Sequence, residues 1–405
     1  MDTALARRTF ALAGLVLGMA IGLPANAQTL GDALAQAWSR HPLAAPLDAL
    51  EAQARARTEA AARVTPGPAS ASLATLDDRF DRNRGARKLE LELGVPLWLP
   101  GQQGARLGEA RELAAEIGAR RDAVRLRIAG QVRDAWWMLA AARDTVELAR
   151  QRVLSAQALE SDVQRKFEAG ERARMDANLA RSERVAAQSD EVDARQALGR
   201  AEQAWLGLTG LAPPAALPAE ETPARAPPIE AHPGMIGALA AAKAAQASLA
   251  AAQKNTREAP RVAVRIERDR GDFGEPFGNS IGIKLELPFS SGPQLRQQTA
   301  GALAETARTD AELELARRTI VLEIERARRE IEAAQEQLQL TRERRDLTAD
   351  TLQLAEKAFA LGESDLLTLL RIRAAALEAQ AAHDRQRTAR AAAGSRLNQA
   401  LGILP

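Results

Sequence analysis

The chain says nearly the same thing twice. The stretch from His41-Pro42 to Leu206-Gly207-Leu208 returns as His232-Pro233 to Leu401-Gly402-Ile403, at an offset of 191 to 195 residues. Gly101 matches Gly292, Gly170 matches Gly362, and the alternating segment 88–98 matches 279–289. Each copy holds two strand-like segments and one very long helical pattern. A duplication on this scale constrains the fold more than any single motif does. Neither copy can satisfy the edges of its own strands, so the pattern points to an assembly.

In the first copy a helical pattern covers 30–63, with Pro42 as its kink or restart and Thr65-Pro66-Gly67-Pro68 as its end. Strands are predicted over 69–80 and 88–98, separated by Asp81-Arg82-Asn83-Arg84-Gly85. Leu89, Leu91, Leu93, Val95 and Leu97 alternate with Lys88, Glu90 and Glu92, the period of a strand with one apolar face. No proline occurs between Gly101 and Ala212. Helices are predicted at 102–167 and 172–210, broken at Phe167-Glu168-Ala169-Gly170-Glu171. The second copy repeats the order: a helix over 235–257, strands over 261–270 and 279–289, and a hairpin over 294–403. Its break is Phe359-Ala360-Leu361-Gly362-Glu363. The domain plan is therefore a leader 1–27, a first repeat 28–212, a Pro-rich linker 213–233 and a second repeat 234–405.

The leader reads as a cleaved export signal. Arg7-Arg8 precedes a short apolar run, and Ala25-Asn26-Ala27 is a small-x-small cleavage site. No later apolar run reaches the length of a membrane-crossing helix, so no transmembrane helix is expected. The strands differ. Ten alternating residues match a tilted membrane-crossing β-strand. Four strands cannot close a barrel, and hydrocarbon does not tolerate an open edge, so several copies must share one wall. Phe80, Trp98, Phe273, Phe277 and Phe289 stand at strand ends, where an interfacial aromatic belt lies.

Composition removes other classes. The chain carries 55 basic and 53 acidic side chains, a net charge of +2, which gives no argument for nucleic acid. It has no cysteine, hence no disulfide, no thiol nucleophile and no lipid attachment at an N-terminal cysteine. Of the three histidines, His41 and His232 are repeat-equivalent, each before a proline, and read as structural or capping positions. His383 has no partner in the sequence. No phosphate loop, catalytic triad or metal cluster can be placed, so no enzyme activity, cofactor or metal site is expected.

The layout resembles the TolC family of outer-membrane efflux channels. The likeness rests on the repeated strand–strand–hairpin order and on Leu93-Gly94-Val95-Pro96-Leu97-Trp98-Leu99-Pro100-Gly101-Gln102-Gln103. It rests also on Leu285-Glu286-Leu287-Pro288-Phe289-Ser290-Ser291-Gly292 and on the tip sequence from Ala355 to Leu370. The Leu-Pro-Gly-Gln-Gln stretch and the compact layout look most like the CzcC-type heavy-metal subgroup.

This resemblance implies a mainly α fold with a small β part. A homotrimer would form a twelve-stranded outer-membrane barrel continuous with a twelve-helix periplasmic tunnel. It implies contact with outer-membrane lipid, and partners in a periplasmic adaptor and an inner-membrane pump of the resistance-nodulation type. The channel would passively carry heavy-metal cations; drugs or a type I secreted protein are the alternative cargoes. An adaptor or a coiled-coil scaffold is the alternative of another class.

The tips would meet the adaptor through Phe167, Gly170, Glu171, Phe359, Gly362, Glu363, Ser364 and Asp365. Each tip phenylalanine either packs inside its own hairpin or joins the adaptor surface. Some family members carry acidic residues six and nine positions after the second tip glycine; here Thr368 and Arg371 stand there. Asp176 holds the six-residue position of the first copy, so Asp176, Thr368 and Arg371 are the candidate gate, with an Asp176–Arg371 pairing as one form of it.

Overall fold

The computed structural model describes residues 29–289 and 292–405; the leader expected over 1–27 and Ser290-Ser291 lie outside the described residues. The chain runs α1 (Leu30–Arg40), α2 (Ala44–Ala61), β1 (Ser70–Asp77), β2 (Arg87–Pro96), α3 (Gln102–Glu168) and α4 (Arg174–Thr209). A short 3-10 turn, Ile229–Ala231, closes the linker. Then follow α5 (Pro233–Lys254), β3 (Arg261–Arg270), β4 (Gly278–Glu286), α6 (Gly292–Ala360) and α7 (Leu366–Ala400).

Local chemistry moves several ends from where periodicity puts them. The helix expected over 30–63 is two helices, since Pro42 interrupts the amide ladder. Thr29 and Asp32 start α1 with a reciprocal capping box. The first strand stops at Asp77 rather than 80. Asp78 turns the chain there, its carboxylate accepting the Arg84 and Gly85 amides at 2.7 and 3.2 Å. The strands expected to reach 98 and 289 stop at Pro96 and Glu286. The Leu97 amide still donates to the Pro260 carbonyl at 2.7 Å, but Pro260 and Pro288 have no amide to extend the ladders further. The helix expected over 235–257 begins at Pro233, where His232 caps it, and ends at Lys254.

The 67 residues of α3 span on the order of 100 Å. It packs along α4, and α6 packs along α7; α5 lies against both α3 and α6. Small side chains keep these axes close, as where Val153 and Ala156 meet Ala187. The main core lies where α1, α3 and α4 converge: Leu34, Ile128, Val132, Trp136 and Trp205 are buried, with the two indoles 5.6 Å apart. Contrary to expectation, one later helix is long and apolar enough by composition to cross a membrane. This is α5, whose alanine content raises its mean hydropathy and whose Ala242, Ala244, Ala245 and Ala251 are buried in the fold.

The strands form one antiparallel sheet in the order β1-β2-β3-β4. The two copies are joined by the β2–β3 ladder, which runs from Arg87 opposite Arg270 to Pro96 opposite Arg261. One face carries Leu73, Leu91, Ile266 and Ile281 in a single row, with Ala71, Leu93, Val264 and Ile283 in the next. Most of these large side chains are exposed, Ile281 by 77% and Ile283 by 82%. The other face holds an ionic ladder. Lys88 pairs with Glu267 at 2.7 Å, Arg265 with Glu90 at 2.7 Å, and Lys284 with Glu92 at 3.4 Å. Both outer strands, β1 and β4, have an unpaired edge.

Candidate functional site

Both hairpin tips are built by one backbone device. After α3, the Glu171 amide donates to the Lys166 carbonyl at 2.8 Å and the Gly170 amide to Phe167 at 2.9 Å. After α6, the Glu363 amide donates to Ala358 at 2.9 Å and the Gly362 amide to Phe359 at 3.2 Å. The paired bonds need a left-handed residue between them, and Gly170 and Gly362 have φ of 79° and 81°. The repeat in sequence is therefore a repeat of turn geometry.

The two copies restart their second helices differently. Asp365 caps α7, accepting the Thr368 amide at 2.6 Å and its hydroxyl at 3.2 Å. Those bonds, with Arg371 nearby, hold the Asp365 carboxyl below its usual range. Thr368 is thus occupied as a capping partner. At the matching place Ala173 begins α4 without a side-chain cap, and Asp176 sits in the first turn. Asp176 is half-buried and Arg371 exposed. Among the described residues neither has an oppositely charged partner within 4.0 Å, so a single chain does not contain the Asp176–Arg371 pair.

The expectation of packing inside its own hairpin describes Phe359 only in part: it is buried at 4% exposure between the two hairpins. It shares one buried cluster with Leu159, Val163 and Ala180 of the first hairpin and Ala355, Leu366 and Leu369 of its own. Above its ring stand Lys166 at 5.2 Å and Arg172 at 4.6 Å, both from the first tip. These two cations were missed in the sequence; the one signal available was a basic last turn in α3. Phe167 is half-buried, Ser364 likewise, and Gly170, Glu171, Gly362, Glu363 and Asp365 are exposed. Five of the eight expected contact residues thus form an open surface at the end of two packed hairpins.

Two clamps set the rest of the molecule. Buried Arg133 on α3 grips Glu220 of the linker through two bonds of 2.9 and 2.8 Å, and also holds Gln399 and the Ile403 carbonyl. Asn398 donates to the Glu221 carbonyl at 3.0 Å. The Leu-Pro-Gly-Gln-Gln stretch joins sheet to helices: Gln102 donates to Asn255 at 2.8 Å, while Trp98 and Gln103 both donate to the Arg63 carbonyl. His232 caps α5, its Nδ1 accepting the Gly234 amide at 3.0 Å, and His41 accepts the Leu43 amide in the same way. Among the described residues no group of three or more His, Asp or Glu side chains gathers as a metal site.

The outer membrane efflux protein family matches residues 43–211 and 229–403, one block in each copy. The chain belongs to this family. No curated protein matches it. Solved structures similar to this efflux protein include the CusC channel, at 16% identity over 92% of each chain with a TM-score of 0.75. The open state of the Neisseria gonorrhoeae MtrE outer membrane channel has 17% identity, covering 92% of this chain and 89% of that one, with a TM-score of 0.74. A membrane protein from Pseudomonas aeruginosa has 20% identity, covering 92% and 90%, with a TM-score of 0.74. At these identities the likeness is one of fold. Membership makes this outer membrane efflux protein a transport channel rather than an enzyme.

Proposed function

We propose that this channel is the exit duct of a tripartite efflux system, assembled as a homotrimer in the outer membrane of a Gram-negative cell. The observation that carries the reading is the sheet: four strands, two unpaired edges, one face of exposed aliphatic side chains and one of ion pairs. Hydrocarbon accepts the first face only if the edges are closed. Three copies joined β4 to β1 make a twelve-stranded wall with the ionic ladder toward water. The linker 213–233 and both termini would form a belt around its waist, and the export signal at 1–27 would deliver the chain.

In this reading the exposed tip residues dock a periplasmic adaptor that is bound to an inner-membrane pump. The cargo is a heavy-metal cation, on the strength of the likeness to the CzcC-type subgroup. Selection and energy belong to the pump, and the chain supplies the passage. Asp176 and Arg371, unpaired among the described residues, would meet across chains as part of the gate.

The test is the single-channel conductance of detergent-extracted protein in a planar bilayer, with its oligomeric mass measured alongside. A conducting trimer is expected. A soluble monomer without conductance would remove the shared barrel.

A further inference from the structure

The aliphatic face of the sheet ends, away from the helices, in arginines, two of which no carboxylate answers among the described residues. Register places Arg268 in one row with Leu89 and Asn279, directly beyond the row of Leu91, Ile266 and Ile281. Arg270 follows beside Arg87. Side chains two apart share a face, so these arginines cap the column Val262, Val264, Ile266 on β3. Arg87 is paired with Asp77 at 3.2 Å. Arg268 and Arg270 have no carboxylate oxygen within 4.0 Å among the described residues. Phe277 holds both instead, its ring centre 4.8 and 4.7 Å from their guanidinium carbons, and Nε of Arg270 donates to the Gly85 carbonyl at 2.9 Å.

The neighbouring acids are engaged elsewhere. Asp78 accepts the Arg84 and Gly85 amides, Asp272 that of Gly274 and Glu275 that of Gly271. Register puts Asp269 and Glu267 on the opposite face, with Lys88. Two fixed guanidinium forks therefore stand unanswered at the edge of an aliphatic surface. Guanidinium matches phosphate oxygens in pairs of hydrogen bonds, and the surface below matches acyl chains. The geometry points to a site for an anionic phospholipid, one whose phosphate headgroup carries a net negative charge, with that headgroup on Arg268 and Arg270 and its chains along Val264, Ile266, Ile281 and Ile283. This inference rests on the channel reading, which puts that face in lipid. β3 is an inner strand, so closure of the barrel at β1 and β4 leaves the site open.

The test is native mass spectrometry of the detergent-extracted protein, released from micelles holding equal phosphatidylglycerol and phosphatidylcholine. Retention of phosphatidylglycerol is expected to exceed that of phosphatidylcholine by about fivefold per arginine. Arg268→Gln/Arg270→Gln should abolish the preference, while Arg268→Lys/Arg270→Lys, which keeps both charges, should retain part of it. Equal retention of the two lipids by a conducting wild-type trimer would overturn the site and leave the channel reading intact. So would a Gln double variant with undiminished preference, or loss of the preference to free inorganic phosphate, which would indicate a site for a soluble ion. A wild-type protein that neither assembles nor conducts would overturn the channel reading, and this inference with it.

Discussion

Phe359 stands in the last turn before a surface loop, yet it packs as a core residue, filling the space between two hairpins under two cations. Phe359→Ala is expected to cost about 3–5 kcal/mol, as for other buried phenylalanines. Thermal unfolding of the assembled protein measures this, and a change below about 1 kcal/mol would show that the tips do not need each other. His232 adds a pH dependence. Burial holds its pKa below the ordinary 6.5, and only the neutral ring can accept the Gly234 amide. Its contribution is therefore complete above pH 6.5 and is lost as pH falls through the lowered folded value. Acidification should cost about 1 kcal/mol, the usual worth of a cap. His232→Asn, which caps at any pH, should flatten the melting temperature against pH; an equal slope in both proteins would remove the explanation.

At the scale of elements, the sheet and the helices are finished differently. Strands β2, β3 and β4 alternate between an aliphatic face left exposed in one chain and a face of paired charges. Ile281→Arg places a cation in the middle of the aliphatic rows, a change that costs about 2–4 kcal/mol at a bilayer midplane. Ser280→Arg, one residue away on the ionic face, should be tolerated. The readout is the fraction of each variant recovered in the membrane as assembled protein. Similar recovery of both would contradict a lipid-facing side. The helices are held by contrast at their waist. Arg133 binds the linker, α7 and the C-terminal segment at once, so the linker behaves as part of the packed belt and not as a loose tether.

For the whole molecule, duplication supplies the two hairpins, and the β2–β3 ladder makes them one sheet with two unsatisfied edges. In the proposed trimer those edges would close on neighbouring chains. The same reasoning applies at the proposed gate, where Asp176 and Arg371 have no oppositely charged partner among the described residues. Asp176→Arg and Arg371→Asp should each change conductance, and the double exchange should restore it toward wild type. Unchanged conductance in both single variants would eliminate this pair from the gate.

Much of this was legible without coordinates. The repeat offset, the period-two alternation of Leu89, Leu91 and Leu93, and the glycine breaks at 170 and 362 already require strands, long hairpins and sharp tips. These are local signals, written by backbone preferences and by the match of side-chain period to one solvent face. The strand ends were less legible. Asp78 captures amides across a turn, and Pro260 and Pro288, which have no amide to give, limit ladders whose partners lie far away in sequence. The tip chemistry was least so. Residue type places Phe359 at a turn, but burial depends on Val163 and Ala180 arriving from a hairpin nearly two hundred residues earlier. Likewise, nothing near Arg133 announces Glu220 or Gln399. The sequence alone determined which elements form, because periodicity and glycine act within a few residues. Only the tertiary structure decided which side chains those elements bring together, because packing partners are set by how the two copies dock.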